Sequence, residues 1–256
     1  MEPVMLRFGR FAMELENGGL RYIRYGGVEI VRGIYAAVRD KDWGTVEPKL
    51  ENMEIREEAA GITASFRCIH ERDEIDFAWN GTIRVEADRI RFDFDGAARA
   101  AFEKNRIGFC VLHPMEFAGL PAVVETSTGT VNGRFPERIS PHQPFLAMKA
   151  IAYEPAQGLQ AAVRFAGDLF EMEDQRNWTD ASYKTYCTPL SLPFPVQVQA
   201  GQRIRQTVEV EVRAQPGFRG EAGGESAAVI EVGDQPMRKL PGIGFMLPLG
   251  EPDAPG

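Results

Sequence analysis

Cysteine is scarce in this chain of 256 residues: Cys68, Cys110 and Cys187 lie far apart, with no CxxC pair among them. Neither a disulfide framework nor a zinc cluster is indicated, and reduced, buried thiols are expected. A basic surplus is missing too. Lys and Arg total 29 against 37 for Asp and Glu, a formal net charge of −8, which leaves nothing to neutralise a phosphate backbone and argues against nucleic acid as a partner. No uncharged apolar run approaches the roughly 20 residues that cross a bilayer, and the amino terminus, MEPVMLRFGRFAMELENGG, lacks an apolar signal core. A cytoplasmic protein with no membrane partner is expected. There is no HExxH or HxH spacing, no GxSxG elbow, no Walker loop and no dinucleotide fingerprint, so neither a metal nor a cofactor is expected and serine-hydrolase chemistry is disfavoured.

Helical periodicity is scarce as well. The one passable stretch, AARAAFEKN at 97–105, also reads as a continuation of the strand before it. Alternation dominates instead. Ile90, Phe92 and Phe94 point one way and Arg91, Asp93 and Asp95 the other, the period-two pattern of a half-buried strand. Phe11, Met13 and Leu15 repeat it, as do Ile62, Ala64, Phe66 and Cys68, and Ile204, Val208, Val210 and Val212, where Gln206 is the exception on the apolar side. Ile75, Phe77 and Trp79 lead through Asn80-Gly81, read as a turn, into Ile83 and Val85. Asn17-Gly18-Gly19, Gly26-Gly27, Asn132-Gly133 and TPLSLPFP supply further turn signals. Many short strands and few or no helices predict an all-β fold, a large antiparallel β-sandwich of the supersandwich kind. The sandwich is expected over 1–213, a Gly-rich linker or loop over 214–228, and a strand-like tail over 229–256 that reads as the start of a truncated barrel domain.

The densest polar and aromatic stretch is LFEMEDQRNWTDASYKTYCTPLSLPFP, from Leu169. As a strand, 169–173 puts Glu171 and Glu173 on one face and Phe170 and Met172 on the other; the same parity groups Ser182, Lys184 and Tyr186. Paired as a hairpin, the two segments form a patch of Glu171, Glu173, Lys184 and Tyr186, flanked by Arg176, Asn177, Trp178 and Asp180. Planar hydrogen-bonding groups beside an aromatic plate suit a sugar, and carboxylates can act as acid or base. An ion-paired hairpin capping the sandwich fits the same spacing. His113, in NRIGFCVLHP, shares a face with Ile107, Phe109 and Val111 and is a candidate to line a cleft and move protons near neutral pH. His142 sits between prolines in SPHQPF; His70 is the weakest of the three histidines. Arg106, at a strand start, is placed to pair with a carboxylate of the hairpin or of a ligand. Arg39, Asp40, Lys41, Asp42 and Trp43 gather charge around an aromatic at the end of a long apolar stretch.

The strings LRYIRYGGVEIVRGIYAAVRDKDWGTV, NRIGFCVLHP, ISPHQPF and FEMEDQRNWTDASYKTYCTPLSLPFP together resemble the amino-terminal part of the D-apionate lactonases, over about residues 8–213. The resemblance implies hydrolysis of a branched-sugar lactone, apionolactone, to its open acid. It also implies a downstream (β/α) barrel as partner, whose active-site residues this chain lacks. The leading expectation is the amino-terminal domain of such a hydrolase. Were the chain to act alone, His113 or Glu171 would be the general base for water attack on the lactone carbonyl, with Arg176 or Lys184 polarising its oxygen. Arg106, His142, Glu173, Asn177, Trp178, Asp180 and Tyr186 would bind the sugar acid or lactone. The alternatives are a non-catalytic carbohydrate-binding or domain-docking module and, third, a mutarotase-like sugar epimerase.

Overall fold

The computed structural model describes residues 2–220. The expected tail at 229–256, and the expected linker beyond Gly220, lie outside the described residues. Seventeen strands run in chain order: β1 (Val4–Phe8), β2 (Phe11–Glu16), β3 (Gly19–Tyr25), β4 (Val28–Asp40), β5 (Pro48–Glu58), β6 (Gly61–Arg72), β7 (Ile75–Val85), β8 (Arg89–Ala98) and β9 (Phe102–Pro114). Then come β10 (Pro121–Thr126), β11 (Gly129–Arg134), β12 (Phe145–Ala156), β13 (Leu159–Ala166), β14 (Phe170–Asp174), β15 (Ser182–Tyr186), β16 (Val196–Val198) and β17 (Arg203–Ala214). Two 3-10 turns, at Met115–Phe117 and Gln175–Trp178, are the helical elements of the described residues.

Every strand pairing is antiparallel, and the strands form one curled sheet. One run follows the order β1-β2-β3-β4-β9-β15-β14, and the other β5-β6-β7-β8-β17-β13. β12 joins them: its beginning pairs with β14 and its continuation with β13, while β10 and β11 extend its other edge. The two runs close on each other because the alternating strands each have one apolar face to bury. Phe92 of β8 meets Phe109 of β9 with ring centroids 4.8 Å apart, and the Tyr153 hydroxyl of β12 donates to the Ile30 carbonyl of β4 at 2.8 Å. Trp79 stacks on Phe94 at 4.7 Å in the same interior.

Asn80-Gly81 is not a turn. Both residues lie inside β7, where Gly81 pairs with Phe66 on one side and Phe94 on the other. A Cβ on Gly81 would stand 2.4 Å from the Phe66 ring, so this glycine makes room for an aromatic rather than bending the chain. Asn132-Gly133 likewise falls within β11. The stretch at 97–105 is not helical: it ends β8 and begins β9.

Gln206, the polar residue on an apolar face, is buried and lies against β9 at Gly108. Gly108 has φ +144°, and a Cβ there would lie 2.2 Å from the Gln206 amide oxygen, which accepts from the Phe109 N–H at 2.8 Å. The Gln206 amide nitrogen donates to the Ile107 carbonyl at 3.4 Å. Gln206→Leu strands a buried N–H and is expected to cost about 1–3 kcal/mol, read as a lower urea midpoint; an unchanged midpoint would sink this account.

His70 is packed in the interior: its Nδ1 faces the Val46 carbonyl at 2.7 Å and its Nε2 accepts from the Trp79 indole N–H at 3.0 Å. Burial holds its pKa below the usual histidine range. All three cysteines are free and buried.

Candidate functional site

Four neighbouring strands, β4, β9, β15 and β14, set side chains in rows across the sheet. Tyr35, Cys110, Tyr186 and Glu171 align in one row, and Gly33, Leu112, Lys184 and Glu173 in the next; Arg39 stands opposite Arg106 further along. Because strand side chains alternate, these residues share the face turned from the main core. Ala37, Cys110 and Tyr186, with Tyr35 against them, form a small buried cluster of their own there.

The expected hairpin is present, with Glu171 opposite Tyr186 and Glu173 opposite Lys184. Its polar groups are turned on one another. Glu171 is only 2% exposed, and its Oε1 accepts from the Tyr186 hydroxyl at 2.6 Å and from the Leu190 N–H at 2.8 Å. Burial first, and then the bond to Glu171, push the Tyr186 hydroxyl pKa far up, so it remains a neutral donor. The Cys110 thiol beside it and burial do the same to Tyr35. Lys184 forms an ion pair with Glu173, which also accepts from the Gln175 amide at 2.6 Å. Gln143 reaches the Tyr186 hydroxyl at 3.5 Å.

Asp174 ends β14 and caps the following 3-10 turn, accepting from the Arg176 backbone N–H. Arg176 grips the same carboxylate, donates to the Pro136 carbonyl at 2.8 Å, and lies over the Tyr183 ring at 4.8 Å. The Asn177 amide donates to the carbonyls of Ser140 and Asp174. Trp178, Asp180 and His142 are exposed, Trp178 to 73%.

The structure does not bring His113 to this surface. It lies on the core side of β9, wholly buried, against Phe135 and Tyr153, with Nε2 beside the Thr185 hydroxyl at 2.9 Å and Nδ1 without a partner. Burial lowers its pKa to about 3, so it neither lines a cleft nor exchanges protons near neutral pH; the parity it shares with Phe109 and Val111 is the parity of the core. Nor does Arg106 pair with a carboxylate. Its guanidinium donates to the carbonyls of Asn105, Pro189 and Leu192 and stands over the rings of Phe194 and Trp43, at 4.9 and 5.6 Å.

Tyr35, Cys110, Gln143 and the Leu190 N–H are parts of this face that reading the sequence missed. For Cys110 a signal existed, since it shares the parity of Arg106. Among the described residues no three His, Cys, Asp or Glu side chains converge as metal ligands. A hollow of about 460 Å³ lies elsewhere, on the outer side of β10–β13, over Ala152 and Ala162 and beside Arg164 and Arg213.

The family described as D-apionate lactonase, N-terminal domain, matches residues 1–215. A D-apionate lactonase of Brucella anthropi is 37% identical over 253 residues, which is 96% of this chain and 41% of that protein. The chain thus spans about two-fifths of the length of that relative. Among solved structures, a galactose mutarotase-like protein of Lactobacillus casei aligns with a TM-score of 0.54 at 7% identity, covering 82% of this chain and 100% of that one. A GH36 α-galactosidase of Geobacillus stearothermophilus aligns at 0.51 and 12% identity, covering 84% of this chain and 41% of that one. These likenesses are of fold: a galactose mutarotase-like supersandwich, the sandwich that the alternation predicts.

Proposed function

This chain belongs to the D-apionate lactonase amino-terminal domain family, and from that premise we propose that it is the non-hydrolytic part of an enzyme that opens apionolactone to D-apionate. In that reaction water adds to the lactone carbonyl, the ring C–O bond breaks, and the ring oxygen leaves with a proton as the new hydroxyl. The step needs a base within hydrogen-bond reach of the water and donors at the developing oxyanion. One observation carries the assignment of this chemistry elsewhere: the three carboxylates of β14 are each committed to partners in the hairpin or the loop after it. Glu171 holds Tyr186 and Leu190, Glu173 holds Lys184, and Asp174 holds Arg176. His113, sealed in the core, offers no base. The family match and the identity to a D-apionate lactonase support the substrate class. The domain then acts as a rigid support for catalytic groups beyond the described residues. Epimerisation of an aldose rests on fold alone, and it too asks for an accessible acid and base.

The isolated chain is expected to leave the ring opening of D-apionolactone, followed by proton NMR at neutral pH, at its rate in buffer. Turnover that Glu171→Gln abolishes would overturn the proposal and make Glu171 the base; turnover indifferent to Glu171→Gln and to His113→Ala would overturn it as well.

A further inference from the structure

The segment between β15 and β16, residues 187–195, is pinned from below. The Thr188 hydroxyl donates to Asp168 at 2.6 Å, the Leu190 N–H to Glu171 at 2.8 Å, and Arg106 donates to the carbonyls of Pro189 and Leu192 at 2.7 and 3.3 Å. Arg106 is only 5% exposed, a buried cation used on the two ends of one turn of loop backbone. Ordering a loop costs entropy, and the bonds that offset it hold large apolar side chains outward. Leu190, Leu192 and Phe194 are 38%, 43% and 43% exposed, and Trp43, from the turn after β4, is 40% exposed with its ring edge-on to Phe194 at 5.1 Å. Singly exposed apolar residues are ordinary, but four on adjoining, anchored backbone make a preorganised contact surface.

We propose that Trp43, Leu190, Leu192 and Phe194 form the surface on which the polypeptide following this domain in its longer relatives docks, with Arg106 as the positioning residue beneath it. The inference rests on the proposed function and names the surface that function requires. The length of chain beyond the domain identifies the occupant: this chain covers 41% of the Brucella anthropi lactonase and 41% of the GH36 α-galactosidase, so in both proteins more than half of the polypeptide lies outside the shared domain. A partner on the same polypeptide is present at high effective concentration, so a modest apolar patch suffices.

The test mixes the chain with a probe, the separately produced part of the Brucella anthropi lactonase that this chain does not cover, and measures association by sedimentation velocity and calorimetry. A complex is expected, with Leu192→Asp and Phe194→Asp each weakening it by about tenfold or more, and with Val131→Lys, on the edge strand β11, leaving it unchanged. Thermal melts of the variants confirm that each folds. An affinity that ignores both Asp substitutions overturns the surface and leaves the proposed function standing; no complex at about 1 mM, the scale of the effective concentration that a short tether supplies, overturns both. As a second measurement, the intact lactonase carrying residues 1–220 of this chain in place of the residues that align with them is expected to melt in one cooperative transition that Phe194→Asp splits in two. A single transition retained by the variant overturns the surface even where the probe fails to fold alone.

Discussion

Asp174→Ala is expected to lower the stability of the domain by about 3–5 kcal/mol, the scale for removing one partner of a buried ion pair. The side chain of Asp174 is fully buried, with Oδ2 accepting from the Ser140 N–H and from Arg176, each near 2.9 Å or closer, and Oδ1 accepting from Arg176 again. Burial pushes the carboxyl pKa up, but the bonds from Arg176 and Ser140 outweigh it and hold the group below the usual carboxylate range. With the carboxylate gone, Arg176, only 13% exposed, keeps its charge over the Tyr183 ring without a counter-ion. The tie between the hairpin turn and the segment around Ser140 is lost with it. Urea unfolding monitored by tryptophan emission measures the loss; a change under about 1 kcal/mol, the scale of an exposed pair, would show that this pair contributes no more than a surface one.

Acid is expected to destabilise the domain through His113 by about 1.4 kcal/mol for each pH unit below about 6.5. The sign follows from the direction of the shift. The folded pKa, about 3, is depressed below the unfolded value, so between the two the unfolded chain binds a proton that the folded chain refuses. The stability is complete above about pH 6.5 and is lost as pH falls toward 3; from pH 6.5 to 4.5 the loss amounts to about 2–3 kcal/mol. His70 is shifted the same way by burial and adds to the trend. His113→Phe places an apolar ring among Phe135 and Tyr153 and removes the proton-binding site. The stability difference between wild type and His113→Phe is therefore expected to change steadily over that range, and a pH-independent difference would refute the assignment.

Much of the architecture was legible because a strand states its own faces. Ile62 through Cys68, Ile90 through Phe94 and the residues around Val208 alternate in the sequence and alternate in burial. Glu171 and Glu173 share a face, and Lys184 and Tyr186 share the one beside it, as their spacing requires. The errors came where a residue's local preference was overruled from across the sheet. Gly81 reads as a turn, yet the Phe66 ring needs the space above it. His113 reads as a proton carrier, yet its parity commits it to the interior.

Alone, the order of amino acids determined that this is an all-β chain of antiparallel strands, which side of the alternating strands faces the core, and the family to which the chain belongs, because these depend on neighbours one or two positions away or on strings of residues. Only the tertiary structure decided that Arg106 holds the loop at Pro189 and Leu192 rather than a carboxylate, that Glu171 meets Tyr186 and Leu190, and that Trp43 and Phe194 come together. Those contacts join positions from 15 to more than a hundred residues apart; their partners are chosen by strand order and register, which no local pattern encodes.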